Sequence, residues 1–137
     1  MQTNPACVFV WPVRVYYEDT DFGGVVYYAN YLHFFERART EWLRSLGVDQ
    51  QRLAAEDGLQ FVVRRAEIDF LRGARLDDML EVTVEVMERR HTYVRLRQCA
   101  LRGEEPMAEA MVQAACVRRD TFKPAALPAS LAGRLAS

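Results

Sequence analysis

The segment running from residue 31 to 46 constrains the fold more than any other. Tyr31, Phe34, Phe35, Ala38, Trp42 and Leu46 recur at three- and four-residue spacing, while Arg37, Arg39, Thr40 and Arg44 fall between them. A helix of 3.6 residues per turn gathers the first set into one apolar stripe and the second into a solvated face. The predicted helix begins at Tyr28 or Asn30 and ends at about Leu46, with Asn30 as N-cap and Gly47 as C-terminal cap. Each large side chain contributes roughly 1.5–3 kcal/mol on burial, so the aromatic stripe requires a surface to cover it.

Strand-like segments supply that surface. Residues 9–18 carry Val13, Val15 and Tyr17 on one parity, which suits a first strand. Residues 50–58 are helical or looped. From there to about Arg119 the pattern is extended. Phe61 and Val63 share one phase and Ala66, Ile68 and Phe70 the other, which predicts a bulge near Arg64 and Arg65. Residues 73–78 read as a turn, after which Leu80, Val82, Val84 and Val86 alternate with Glu81, Thr83, Glu85 and Met87. Two further strands follow, at 93–101 and 107–117, separated by a turn at 102–105. One helix among long meandering strands predicts an α+β fold with an antiparallel sheet. No repeat or low-complexity linker divides the 137 residues, so residues 1–137 are expected to form a single domain, with a proline-bearing tail from about 123 that ends in a short helix.

Composition removes several classes of function. The formal net charge of −1 argues against a dedicated nucleic-acid binder. Residues 1–6 are polar and lack the cationic start and apolar run of a secretory signal. No apolar stretch approaches the roughly 20 residues that span a bilayer. Cys7, Cys99 and Cys116 are too far apart for a zinc knuckle and form no disulfide framework. Cys99 and Cys116 fall in strand-like runs, as small buried thiols do. A reducing cytoplasm is the expected location.

The chemistry concentrates in residues 15–43, VYYEDTDFGGVVYYANYLHFFERARTEWL. A strand leads into an acidic loop with two glycines and then into the buried helix. The first turn of a helix presents unpaired N–H groups and partial positive charge, which suit an oxyanion. A carboxylate just before it can attack a carbonyl or activate water. By spacing alone, Asp19 and Asp21 suit turn residues that bind backbone amides better than catalytic ones. Asp19, Asp21 and His33 have no distinctive metal-ligand spacing, and no metal is expected. His33 reads as a helix-face residue. Tyr17 either borders the site or fills the inner face of its strand. The run Arg89, Arg90, His91 and Thr92 lies between two strands and suits either phosphate contacts or a solvated turn.

The same string resembles the signature of the 4-hydroxybenzoyl-CoA thioesterase-like hotdog family, and within it the YbgC-type acyl-CoA thioesterases associated in bacteria with the Tol-Pal envelope system. Phe61-Val62-Val63-Arg64, the run from Ala74 to Leu80, and Lys123-Pro124 with Leu127-Pro128 are also similar, so the likeness extends from about Trp11 to Pro128. It implies a hotdog fold, an antiparallel sheet wrapped around one long helix, and hydrolysis of acyl-CoA to free acid and coenzyme A without a cofactor. It implies Asp21 as nucleophile or general base and the amide near Tyr28 as the group that polarises the thioester carbonyl. Asp19 then shapes the loop. Tyr17, Phe22 and Phe61 are expected at the substrate, and Arg89, Arg90, His91 and Thr92 at the coenzyme A phosphates. The family assembles as homodimers and often homotetramers with active sites between subunits, and acyl carrier protein is an alternative acyl donor.

A thiol such as coenzyme A, with a pKa of about 8.5, leaves without a strong general acid, so no Ser-His-Asp triad is needed. Two positions depart from the subgroup: Tyr28 stands where many members have histidine, and Phe22 where a smaller residue is usual. Phe22 is therefore expected to narrow the acyl pocket. Two rival functions are a hotdog dehydratase or hydratase, which would rely on a catalytic histidine where only His33 and His91 exist, and a non-catalytic acyl-carrier or envelope-complex binding module.

Overall fold

A computed structural model describes residues 8–135, so Cys7 and the polar start lie outside the described residues. Five strands, β1 (Val8–Arg14), β2 (Leu59–Phe70), β3 (Met79–Arg89), β4 (Tyr93–Arg102) and β5 (Glu105–Arg118), form one sheet. The order is β1-β3-β4-β5-β2, and every neighbouring pair is antiparallel. Helix α1 (Asn30–Ser45) packs across the inner face; α2 (Gln50–Arg52) continues into a π-turn at Leu53–Asp57, and α3 (Ala129–Ala132) lies in the tail. This is the expected α+β hotdog arrangement. Among the described residues, no helix is long and apolar enough to cross a membrane.

Register explains the core. Val94, Leu96, Gln98 and Ala100 of β4 stand opposite Ala114, Val112, Ala110 and Ala108 of β5, and all eight are buried. The small alanines leave room for Phe34, Phe35 and Trp42 of α1, also buried. In β2 the register shifts between Val63 and Arg65, leaving Arg64 without a partner. That bulge explains the change of phase read in the sequence. Phe61 and Val63 face the same side as Cys116 and Ala114, while Ala66, Ile68 and Phe70 reach that side on the other parity.

Gly47 ends α1 as expected: at φ 84° its N–H donates to Arg44 O, and Val48 N–H donates to Leu43 O. Two details differ from the sequence reading. The first strand stops at Arg14, and Tyr17–Asp19 form a 3₁₀ turn rather than its continuation. Ala29 is the N-cap residue, while Asn30 opens the helix and spends its side chain on Asp19.

The outer sheet face carries ion pairs, with Arg97 near Glu85 (4.0 Å) and Glu109 (3.6 Å) and Arg95 near Glu88 (3.5 Å). That face is compatible with water. The open feature is β2, an edge strand with Val63 and Phe70 each 48% exposed.

Candidate active site

Asp19 and Asp21 are separated by one residue and do different things. Asp19 is 4% exposed. Its Oδ2 accepts from Tyr16 N–H (2.8 Å) and its Oδ1 from Asn30 Nδ2 (2.6 Å), while its carbonyl accepts from Tyr27 N–H (3.0 Å). These three bonds tie the end of the 3₁₀ turn to the first turn of α1. Asp19 is thereby a loop-shaping residue. Asp21 is exposed at the tip. Its N–H donates to Val25 O and its carbonyl accepts from Gly24 N–H, closing a tight reversal in which Gly24 adopts φ 82°. Asp21 Oδ1 accepts from Gly23 N–H at 2.8 Å, and Oδ2 has no hydrogen-bond partner among the described residues. The carboxylate is oriented through one oxygen and open to a reactant through the other.

The helix start is equally specific. Asn30, Tyr31 and Leu32 donate their N–H groups to the carbonyls of Tyr27, Tyr28 and Ala29. Among the described residues, the N–H groups of Tyr28 and Ala29 have no acceptor. They are unpaired donors at the positive end of a 16-residue helix, an arrangement that suits a negatively charged oxygen. Tyr28 is 59% exposed; its ring lies 4.9 Å from that of Tyr27 and 5.7 Å from that of Phe70. A side-chain hydrogen bond with Tyr28 pushes the Tyr27 phenol above its ordinary range, with the Asp21 carboxylate adding in the same direction.

A second loop holds the first in place. Val26 N–H donates to Ala74 O, and Tyr31 Oη lies 3.4 Å from Ala74 N and 3.5 Å from Arg72 O. A Cβ at Gly73 would sit 2.8 Å from Val25 Cγ1, so only glycine lets the loops approach this closely. Asp78 accepts from Arg75 N–H (2.8 Å) and Arg102 Nη1 (2.9 Å). Burial alone would raise its carboxyl, but these donors outweigh it and hold Asp78 below the usual range.

The other expected site residues do not join this cluster. Tyr17 is 82% exposed in the turn, which rules out its filling the inner face. Phe22 points fully into solvent and narrows no pocket within the protomer. Phe61 lines a cavity with Trp42 and Leu43, about 18 Å along α1 from Asn30 at ~1.5 Å per residue. Arg89, Arg90, His91 and Thr92 turn the chain at the far end of β3, about 33 Å from Met79 at ~3.3 Å per residue. There Arg89 Nη1 donates to Ala132 O, Arg90 pairs with Glu88 at 2.5 Å, and the carbonyls of His91 and Thr92 accept from Leu127 and Cys116. Asp19, Asp21 and His33 do not gather into a metal-ligating cluster among the described residues. Cys99 and Cys116 are buried among the strands, and burial pushes both thiols up.

Three contributors escaped the sequence reading. Phe70 completes the aromatic group beside Tyr28 and Tyr31. Asn30 anchors Asp19. Gln98, wholly buried, donates Nε2 to Phe35 O and Thr83 O and accepts from Arg39 Nη1. Its signal was a polar residue on the apolar parity of β4.

Comparison with known proteins bears on family and fold. An acyl-CoA thioesterase YbgC from Haemophilus influenzae is 51% identical over 120 residues, covering 88% of each chain. The acyl-CoA thioester hydrolase YbgC of Escherichia coli O6:H1 is 49% identical over 125 residues, covering 90% of this chain and 92% of its own. The crystal structure of a probable thioesterase from Bartonella henselae superposes with a TM-score of 0.84 at 40% identity, covering 88% of this chain and 99% of its own. Residues 15–135 match the family described as the thioesterase-like superfamily, and the chain belongs to that family.

Proposed function

We propose that this chain hydrolyses acyl-CoA thioesters to the free acid and coenzyme A, with Asp21 as the reacting carboxylate and the amides of Tyr28 and Ala29 as the oxyanion site. The observation that carries the reading is the pairing of a half-used carboxylate with two N–H groups that lack acceptors at the start of a buried helix. The relatives named as acyl-CoA thioesterases support the reaction class.

The thioester carbonyl oxygen sits against the two amides, where developing negative charge is stabilised by donors already in position. Asp21 Oδ2 either takes a proton from water, which adds to the carbonyl carbon, or adds to that carbon itself and forms an anhydride that water then opens. In both routes the tetrahedral intermediate collapses by breaking the C–S bond. The departing thiolate is protonated and the acid is released.

The phosphate contacts we assign to residues 89–92 lie at the end of β3 opposite the Asp21 loop. One coenzyme A is therefore shared between two copies of the chain, the second copy supplying the basic turn and closing the wall that Tyr17 and Phe22 lack. The open edge of β2 favours a homodimer, and the homotetramer is a pair of such dimers. We place the reaction in the cytoplasm, where coenzyme A esters and reduced thiols persist, and assign it to the Tol-Pal-associated subgroup by likeness, with acyl carrier protein as an alternative donor.

Thiol release across a ladder of acyl-CoA substrates tests the reading. Asp21→Asn should reduce turnover at least about a hundredfold with KM little changed, as expected for a group acting in the transition state. Full-speed cleavage by that variant would refute it, as would product formation by addition or loss of water without free thiol.

A further inference from the structure

At the end of β5 the chain turns back on itself through Arg118, Arg119, Asp120, Thr121, Phe122 and Lys123, all exposed. The turn is firmly built. Arg118 N–H donates to Lys123 O and Phe122 N–H to Arg118 O, both at 2.8 Å, while Arg119 N–H donates to Gly58 O just before β2. Beyond it Pro124 bridges back to Val117, so the tip projects from the end of the sheet.

Phe122 is out of keeping with this position on two counts. Its φ of 60° lies in the left-handed region, where a bulky side chain crowds the backbone and glycine or asparagine is usual. Its ring is 61% exposed and belongs to no aromatic pair or core cluster among the described residues. Neither the strain nor the exposure gains anything inside the protomer, and an outlier of this kind points to a role outside it.

The neighbours of the ring are cationic. Arg118, Arg119 and Lys123 stand against one carboxylate, Asp120, which lies 3.6 Å from Arg118. Among the described residues, Arg119 and Lys123 have no acidic partner within 4.0 Å. The whole chain carries −1, but at physiological salt charges act over ~8 Å, so the turn presents its own positive field. It lines neither the cavity beneath α1 nor the hollow on the outer sheet face. A projecting tip does not enclose a small ligand, which requires a concave site. It matches a plane that is anionic at its surface and apolar just below.

We infer that the 118–123 turn docks the protein on an anionic lipid bilayer, with Phe122 inserted at the boundary of the acyl chains and Arg119 and Lys123 on the lipid phosphates. Insertion takes out of water a ring that the fold leaves exposed. The inference is independent of Asp21 and of residues 89–92.

Sedimentation with vesicles tests it, using the full chain without coenzyme A. The protein should pellet with vesicles of phosphatidylglycerol and phosphatidylcholine in equal parts, and at least about tenfold less with phosphatidylcholine alone. Binding should weaken as salt rises. Lys123→Gln should reduce it about fivefold, and Phe122→Gly about tenfold or more. Glycine accepts a φ of 60°, so Phe122→Gly should hold its Tm at or above that of the parent, which separates lost binding from misfolding. Thiol release from soluble acyl-CoA should be unchanged in that variant. No binding to the anionic vesicles, equal binding to both compositions, or undiminished binding by Phe122→Gly would overturn the inference. A raised KM for acyl-CoA in Phe122→Gly, with no vesicle binding by the parent, would place the turn at the coenzyme A nucleotide and also overturn it. Capture of the parent by polyglutamate but not by vesicles would point to an acidic protein surface, with the same consequence.

Discussion

Replacing Asp19 by alanine separates loop architecture from catalysis. The substitution leaves Tyr16 N–H and Asn30 Nδ2 without their acceptor in a site where Asp19 itself is 4% exposed. Each stranded donor costs about 1–3 kcal/mol, and because Tyr16 and Asn30 retain some access to water, a combined loss of about 3 kcal/mol follows. Unfolding entropy of about 2.1 cal/mol/K per residue over 137 residues amounts to about 0.29 kcal/mol/K, so the Tm should fall by about 10 °C. In urea, with an m-value of about 1.5 kcal/mol/M, the midpoint should fall by about 2 M at unchanged slope. Total stability of 5–15 kcal/mol lets the variant fold. Both measurements belong at one protein concentration, since assembly shifts the midpoint. A cycle with Asn30→Ala should show coupling of about 1 kcal/mol or more. A midpoint unchanged for Asp19→Ala, or strict additivity with Asn30→Ala, would refute the claim that this carboxylate staples the reactive loop to the helix.

Three further outcomes are expected. Gly73→Ala should cost about 1–3 kcal/mol by thermal melting, because its Cβ meets Val25 Cγ1 at 2.8 Å, and Val25→Ala should restore part of the loss. Asp78 has a folded pKa held below its unfolded value, so its contribution is complete above the unfolded pKa and disappears as pH falls through the folded one. Melting midpoints compared from neutral pH into the acid range should therefore decline more steeply in wild type than in Asp78→Asn. Arg90→Ala should raise KM for acyl-CoA with kcat nearly constant; because Arg90 already pairs with Glu88, Glu88→Gln should lower KM, and unchanged kinetics in both variants would remove residues 89–92 from the coenzyme A site.

Much of the architecture was legible before any coordinates. The spacing of Tyr31, Phe34, Phe35, Ala38 and Trp42 specified α1, and all five are buried against the sheet. Alternation located β3, and the phase change between Val63 and Ala66 announced the bulge. These signals are local: periodicity of 3.6 or 2 follows from backbone geometry and needs no knowledge of what lies across the core. The ends of elements were less legible. Parity carried the first strand to Glu18, whereas the bonds of Asp19 to Tyr16 and Asn30 end it at a 3₁₀ turn, and those bonds join residues up to 11 apart.

The site divides along the same line. Residue order alone set a carboxylate and two glycines ahead of a helix start, and with it the chemistry such a segment can perform. Which aspartate is consumed by the scaffold and which stays open depends on Gly23, Asn30 and Tyr16 closing around them in three dimensions. That Arg89–Thr92 stand at the opposite end of β3, and that Arg39 is held by Gln98, 59 residues away, also came only from the folded chain. Short-range pattern encodes the period and direction of each element, while the distance between elements is decided by how their side chains pack.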